Sequence, residues 1–143
     1  MTDIEYDPRD LIAQTSIGIL ATLKRNGFPQ LSPVTAVYHR DADTILISMT
    51  DGRAKARNLR REPKAAIEFT SPDGYTWATA EGPVELLGPA TDPDAPEVDA
   101  LVEYYRLGAG EHPDWAEFRQ AMVDDRRVLA VIHVDRVYGE KLR

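Results

Sequence analysis

Between residues 16 and 39 the chain reads SIGILATL, then Lys24-Arg25-Asn26-Gly27, then Phe28 and PQLSPVTAVYH. The first run is apolar and rich in strand formers, Asn-Gly is the strongest short hairpin signal, and the return stretch extends from Pro29 to His39. Strands joined by so short a turn pair antiparallel, so the opening of the chain commits the fold to an antiparallel sheet. Side-chain alternation puts Gln30, Ser32 and Val34 on one face of the return strand and Leu31 and Pro33 on the other. Pro33 has no N–H for a ladder, so this stretch is an edge, a bulge or an interface segment.

Four further stretches read as strands: Thr44 to Met49, Ala65 to Thr70, Tyr75 to Leu87 with a bend at Gly82-Pro83, and Arg127 to Val137. Asp7-Pro8 opens a helix to about Gln14, with Asp as N-cap, Pro at the first helical position, and Leu11 and Ile12 inward. Helices are also expected over Glu97 to Leu107, with Val98, Leu101, Val102 and Tyr105 on one face, and over Asp114 to Val123, with Trp115, Phe118 and Met122 as a core stripe. A proline-rich linker, Pro89 to Pro96, precedes them. Six strands in short succession with helices at the margins predict an α+β, mainly β fold, an antiparallel barrel forming one domain over residues 1–143.

The segment Asp51 to Lys64, DGRAKARNLRREPK, carries six basic and two acidic side chains, +4 in a chain of net charge −7. Gly52 supplies turn freedom and Pro63 stops a helix, so a short helix lies between them. Ala56, Leu59 and Pro63 fall on its core side, with Arg53, Arg57, Arg60 and Arg61 opposite and Lys55 in the first turn. Free amides at a helix start beside Arg53 and Lys55 would seat a phosphate. From charge alone, the segment reads equally as a solvated basic face.

A pI near 4.9 argues against nucleic acid as the main partner, because duplex binding draws on many Lys and Arg contacts. The N-terminus lacks an export leader and no apolar run approaches the roughly 20 residues that span a bilayer, which predicts a cytoplasmic protein with no membrane association. With no cysteine there is no disulfide, thiolate metal site or cysteine nucleophile. GxSxG, HExxH and Walker motifs are absent, and His39, His112 and His133 stand far apart without metal-ligand spacing. No catalytic residue stands out and no metal is expected. An enzyme of this composition would take its chemistry from a bound cofactor.

SIGILATLKRNGFPQLSPV, GRAKARNLRREP, GEHPDWAEFRQAM and VLAVIHVDRVYG together resemble the split β-barrel family of flavin and deazaflavin proteins related to pyridoxamine 5′-phosphate oxidase. Within it the chain is similar to reductases that use the deazaflavin coenzyme F420. The resemblance implies a homodimer with two cofactor sites at the subunit interface. It assigns the cofactor phosphate to Arg53 and Lys55, with Ala54 between them. The flavin-like ring falls to the strand of Gln30, Ser32 and Val34, and to Met49 and Thr50 at the end of its neighbour. Trp77 would come from the partner subunit, or be plain core; Arg57, Asn58 and Arg60 would meet the acidic tail. The implied reaction is hydride transfer from reduced coenzyme F420 to an electron-poor small organic acceptor. FMN is the rival cofactor, and a non-catalytic coenzyme F420 store is the rival role, with binding of another phosphorylated metabolite a further option.

Overall fold

Residues 6–142 are described by the structure, a computed structural model; half of the ten-residue stretch in which no export leader was read lies outside them. In order they form α1 (Pro8–Gln14), β1 (Ile17–Leu23), β2 (Pro29–His39), β3 (Thr44–Thr50), α2 (Ala54–Arg61), β4 (Lys64–Thr70), β5 (Thr76–Leu87), α3 (Pro96–Ala109), α4 (Trp115–Asp124), β6 (Arg127–His133) and β7 (Arg136–Lys141). All strand pairs are antiparallel, in the order β4-β1-β2-β3-β6-β5, and β4 pairs with β5 to close a six-stranded barrel. No helix among the described residues is long and apolar enough to cross a membrane.

The local signals act through identifiable contacts. Asp7 accepts a hydrogen bond from the Arg9 amide, with Pro8 at the first helical position, and α1 buries Leu11 and Ile12. In the hairpin turn Gly27 takes φ +84, its N–H donates to Lys24 O, and the Asn26 side chain accepts from the Phe28 amide.

β5 serves two ladders of the barrel. Trp77 to Pro83 pair with β4, and Val84 to Leu87 pair with β6. The expected bend at Gly82-Pro83 falls where the strand changes partners. A Cβ on Gly82 would lie 1.9 Å from the His133 carbonyl oxygen, so only glycine allows this crossing.

The single closing strand expected over Arg127 to Val137 is instead two. β6 ends at His133 and β7, outside the barrel, pairs with β5 from Thr76 to Glu81. Between them the Val134 amide donates to Asp43 O and the Asp135 amide to Glu81 O. These partners are remote in sequence, and His-Val-Asp-Arg contains no glycine, proline or asparagine to announce the break.

The apolar residues divide into two clusters. One fills the barrel, with Leu20, Ile45, Ile47, Met49, Ile67 and Phe69 at its centre; the other lies outside it, where Leu101, Val102 and Phe118 of α3 and α4 cover Leu46, Leu129 and Val131. Hence β3 and β6 are buried on both faces and read as continuous apolar runs. Burying a side chain such as Leu101 contributes about 1.5–3 kcal/mol, enough to hold α3 against the barrel.

The barrel opens at one seam. β2 pairs with β1 through Pro29 to Thr35 but with β3 only through Ala36 to His39. Beyond that point β3 continues alone beside β6, so Pro33 to Thr35 and Ser48 to Thr50 diverge. Ala36 N–H bonds to Ser16 O, and by alternation Val34 and Ser32 also direct their polar backbone groups toward β1. Leu31, Pro33 and Thr35 therefore face the open seam. The missing N–H of Pro33 costs no ladder bond there, which is the edge position open to a proline.

Candidate functional site

The divergence of β2 and β3 leaves a cavity of about 570 Å³. Pro33, Val34 and Thr35 form one wall, Ser48, Met49 and Thr50 another, and Tyr104, Phe118 and Met122 of α3 and α4 cover it. Its remaining lining is cationic, from Arg53, Lys55 and Arg127. None of these three pairs with an acid among the described residues.

Gly52 at φ +89 turns the chain between β3 and α2, with Arg53 N–H bonded to Thr50 O. Arg53 then occupies the N-cap position of α2, where Ser, Thr, Asp or Asn would supply a capping oxygen, and no side chain caps the helix. The first turn of α2 thus presents uncapped amides beside the unpaired Arg53 and Lys55. Three cations and an uncapped helix start beside one cavity in an acidic chain are the donors that an anion seat requires. In the same cavity, Tyr104 Oη donates to Thr35 O at 3.1 Å. Burial raises the pKa of this phenol, against a hydrogen bond from the Ser48 backbone and the charge of Arg127, so it stands neutral at physiological pH.

Of the residues assigned from sequence, Val34, Met49, Thr50, Arg53 and Lys55 line this one cavity. The others lie elsewhere. Gln30 and Asn58 form a largely buried polar link inside the protein: Asn58 Nδ2 donates to Thr22 Oγ1 at 3.1 Å and to Gln30 Oε1 at 3.2 Å. Arg60 donates to Asp51 at 2.6 Å, and Arg126 holds the other oxygen of the same carboxylate at 3.1 Å. Ala54, Arg57, Asn58 and Arg60 all line a separate basic groove, together with Lys24, Arg25, Asn26 and Arg61. Ser32 is half-buried on β2 outside the cavity lining. Trp77 packs edge-to-face on Tyr138 at 5.9 Å, and its backbone oxygen accepts from the Tyr6 hydroxyl.

The basic face expected on α2 is therefore divided. Arg53 and Lys55 turn to the cavity, while Arg57, Arg60 and Arg61 line the groove, Arg60 with a bond to Asp51. Pro63, expected on the core side, is exposed because the helix ends at Arg61 and Glu62 is extended; Asn58 is buried in its stead.

Sequence reasoning missed Arg127, Tyr104 and the lining role of Phe118 and Met122. Arg127 reaches the site because β6 pairs with β3 in a register that sets it opposite Thr50. No local pattern encodes that pairing. Tyr104 was legible in principle, three residues after Leu101 on α3.

Comparison with known proteins bears on the whole chain. The family model described as Pyridoxamine 5′-phosphate oxidase matches residues 7–141. A conserved hypothetical protein from Mycobacterium tuberculosis is similar in structure at 23% identity and a TM-score of 0.75, over 100% of this chain and 89% of that one. A solved structure named F420 Reductase is similar at 23% identity and a TM-score of 0.65, over 94% of this chain and 98% of that one. A Clostridium acetobutylicum protein related to general stress protein 26, of the pyridoxinephosphate oxidase family, has 16% identity and a TM-score of 0.64, over 93% and 84% of the two chains. At these identities the structural likenesses establish the fold alone.

Proposed function

Because the chain belongs to the pyridoxamine 5′-phosphate oxidase family, matched over residues 7–141, we propose that its cationic cavity holds a phosphorylated flavin or deazaflavin and that the protein is an oxidoreductase. Coenzyme F420 is the preferred cofactor, FMN the alternative. The carrying observation is the seat made by Arg53, Lys55 and Arg127 at the uncapped start of α2. Its donors suit a phosphate, and a cavity of about 570 Å³ lies within the usual range for cofactor sites. When bound, the cofactor would supply hydride chemistry toward an electron-poor organic acceptor.

The protein's own residues would bind and orient. Arg53, Lys55 and Arg127 neutralise the phosphate; the open edge of β2 and the end of β3 flank the planar ring; Phe118 and Met122 exclude water from above. The groove of Lys24, Arg25, Arg57 and Arg61 starts on the other side of Ala54, and its cations favour the longer acidic tail of coenzyme F420 over FMN. Arg57, Asn58 and Arg60 share this groove; Asn58 and Arg60 also bond within the protein, which leaves Arg57 the assigned tail contact with no side-chain partner among the described residues.

A homodimer completes the proposal. The outer face of the β1–β2 hairpin exposes Ile17, Ile19, Phe28 and Leu31, the last two 68% and 63% accessible. An apolar cleft of about 570 Å³ adjoins it, lined in part by Ala21, Leu23, Pro29, Ala66 and Pro83. Contiguous apolar surface of this kind marks an association site, and a second copy brings the same face in closed two-fold symmetry. Trp77 would reach a cofactor only from such a partner.

Titration of purified protein with coenzyme F420 and with FMN, followed by absorbance and fluorescence, tests the reading. Tighter binding of the deazaflavin, with reduction of an added acceptor and little oxygen uptake, is expected. Tighter FMN binding with oxygen consumption would make the chain an oxidase-like flavoprotein; deazaflavin binding with no turnover on any acceptor would make it a carrier.

A further inference from the structure

A second cleft, of about 410 Å³, meets the cationic cavity at Thr35 and Tyr104, the two residues common to both linings. Ile12 and Ala36, 2% and 5% exposed, form its floor. Ala13 to Ser16, from the last turn of α1 into the residues after it, make one rim and Leu107 to Ala109 at the end of α3 the other. No charged side chain lines it, in a chain of which 29% of residues are charged.

Its polar groups are neutral and mostly committed. Tyr104 Oη donates to Thr35 O, Thr15 Oγ1 to Leu11 O at 2.8 Å, and Tyr38 Oη to Asp43. The side chains of Gln14, Ser16 and Tyr105 line the cleft without a hydrogen bond to another described residue. An ion placed here would lose hydration and find no countercharge. A neutral molecule with an apolar body could bury it on Ile12, Val37 and Leu107 and direct a carbonyl or hydroxyl to the free polar groups.

Position adds to chemistry. A ligand anchored by its phosphate at Arg53 and Lys55 and extended between β2 and β3 would bring its far end toward Thr35 and Tyr104, which line the same cavity. Group transfer requires reacting atoms about 3–3.5 Å apart. The partner molecule must therefore touch that end, and this cleft is the space that opens there. We propose that the α1–β2–α3 cleft is the acceptor site, selective for an uncharged, largely apolar molecule bearing a hydrogen-bonding carbonyl or hydroxyl. The proposal rests on the oxidoreductase reading for the word acceptor, though not for the existence of a neutral-ligand site.

The test compares 1,4-naphthoquinone with its 2-sulfonate, measured by equilibrium dialysis against the full-length protein without cofactor. Ala13 and Ala109 are exposed rim positions, so Ala13→Trp and Ala109→Trp fill the cleft without entering the core. The neutral probe should bind more tightly than the sulfonate and lose at least tenfold in affinity in either variant, while cofactor titrations stay as in the wild type. Lys55→Ala should do the reverse, weakening cofactor and leaving the neutral probe unchanged. Tighter sulfonate binding that depends on Lys55 would place the probe in the cationic cavity and overturn the proposal. Unchanged probe binding in both tryptophan variants would overturn it too, as would a shift of monomer–dimer sedimentation in place of a binding loss. If neither cofactor binds the wild type yet the naphthoquinone response holds, the oxidoreductase reading fails alone and the neutral-ligand site stands.

Discussion

The two ends of α2 have similar composition and opposite circumstances. At its start, Arg53 and Lys55 have no acidic partner among the described residues and face a cavity. Toward its end, Arg60 is held by Asp51, and Arg61 donates to Leu23 O at 2.6 Å and to Asn58 Oδ1 at 3.2 Å. A count of basic residues treats these four alike. What separates them is whether the fold has already supplied an acceptor. An arginine with a carboxylate in place has little to offer an incoming anion, whereas an unpaired one keeps its full attraction.

The sharpest way to break this comparison is to remove the unpaired cations. Arg53→Ala and Lys55→Ala should each weaken cofactor binding by about 1.5–3 kcal/mol, roughly tenfold to over a hundredfold in Kd, with thermal stability little changed. Affinity titrations and melting curves on the same preparations check both halves. Unchanged affinity in both variants would return the start of α2 to a solvated basic face.

Asn58→Leu probes the other end. It leaves buried Thr22 and half-buried Gln30 short of a donor, at a cost of about 1–3 kcal/mol. For a domain of this size that lowers Tm by about 2–4 °C per kcal/mol. Cofactor affinity, measured well below the transition, should hold. A loss of affinity with stability intact would instead put Asn58 in contact with the ligand.

Arg127→Ala comes next, because the β3–β6 ladder already holds the residue in place opposite Thr50. A loss of about 1.5 kcal/mol, roughly tenfold in Kd, is expected, with a shallower dependence of affinity on salt. An unaltered salt dependence would remove Arg127 from the seat.

What could be read from the sequence was what neighbours in the chain decide. The Asn26-Gly27 turn, the Asp7-Pro8 helix start, the Gly52 turn and the Pro33 edge each depend on a few adjacent residues. The seat of Arg53 and Lys55 belongs to the same class, since two residues and one helix start define it. Arg127 does not, because only the β3–β6 ladder brings it opposite Thr50. The commitment of Arg60 was equally hidden: Asp51 lies nine positions before it, and the second clamp, Arg126, is 75 positions from Asp51. Asn58 illustrates a further limit. A polar residue on a basic helix reads as exposed, and it is buried here only because β1 and β2 bring Thr22 and Gln30 beneath it.

The smallest effect concerns the clamp itself. Hydrogen bonds from Arg60 and then Arg126 hold the Asp51 carboxyl below its ordinary pKa, against a modest opposing effect of burial. A carboxylate whose pKa is lower in the folded than in the unfolded chain stabilises the fold above its unfolded value, about 3.9, and the contribution disappears as pH falls through the folded value. Both arginines are substantially exposed, so solvent screening limits each pair to about 0.2–1 kcal/mol. Asp51→Asn should therefore lower stability slightly at neutral pH, and the gap from wild type should close as the medium is acidified below about pH 4. Denaturant titrations at several pH values would follow it. Because Asp51 holds the arginine already committed to the fold, cofactor affinity should change far less than in Lys55→Ala. A comparable loss of affinity would mean that the clamp positions the start of α2 for its ligand, and the contrast between the two ends of the helix would then be one of degree.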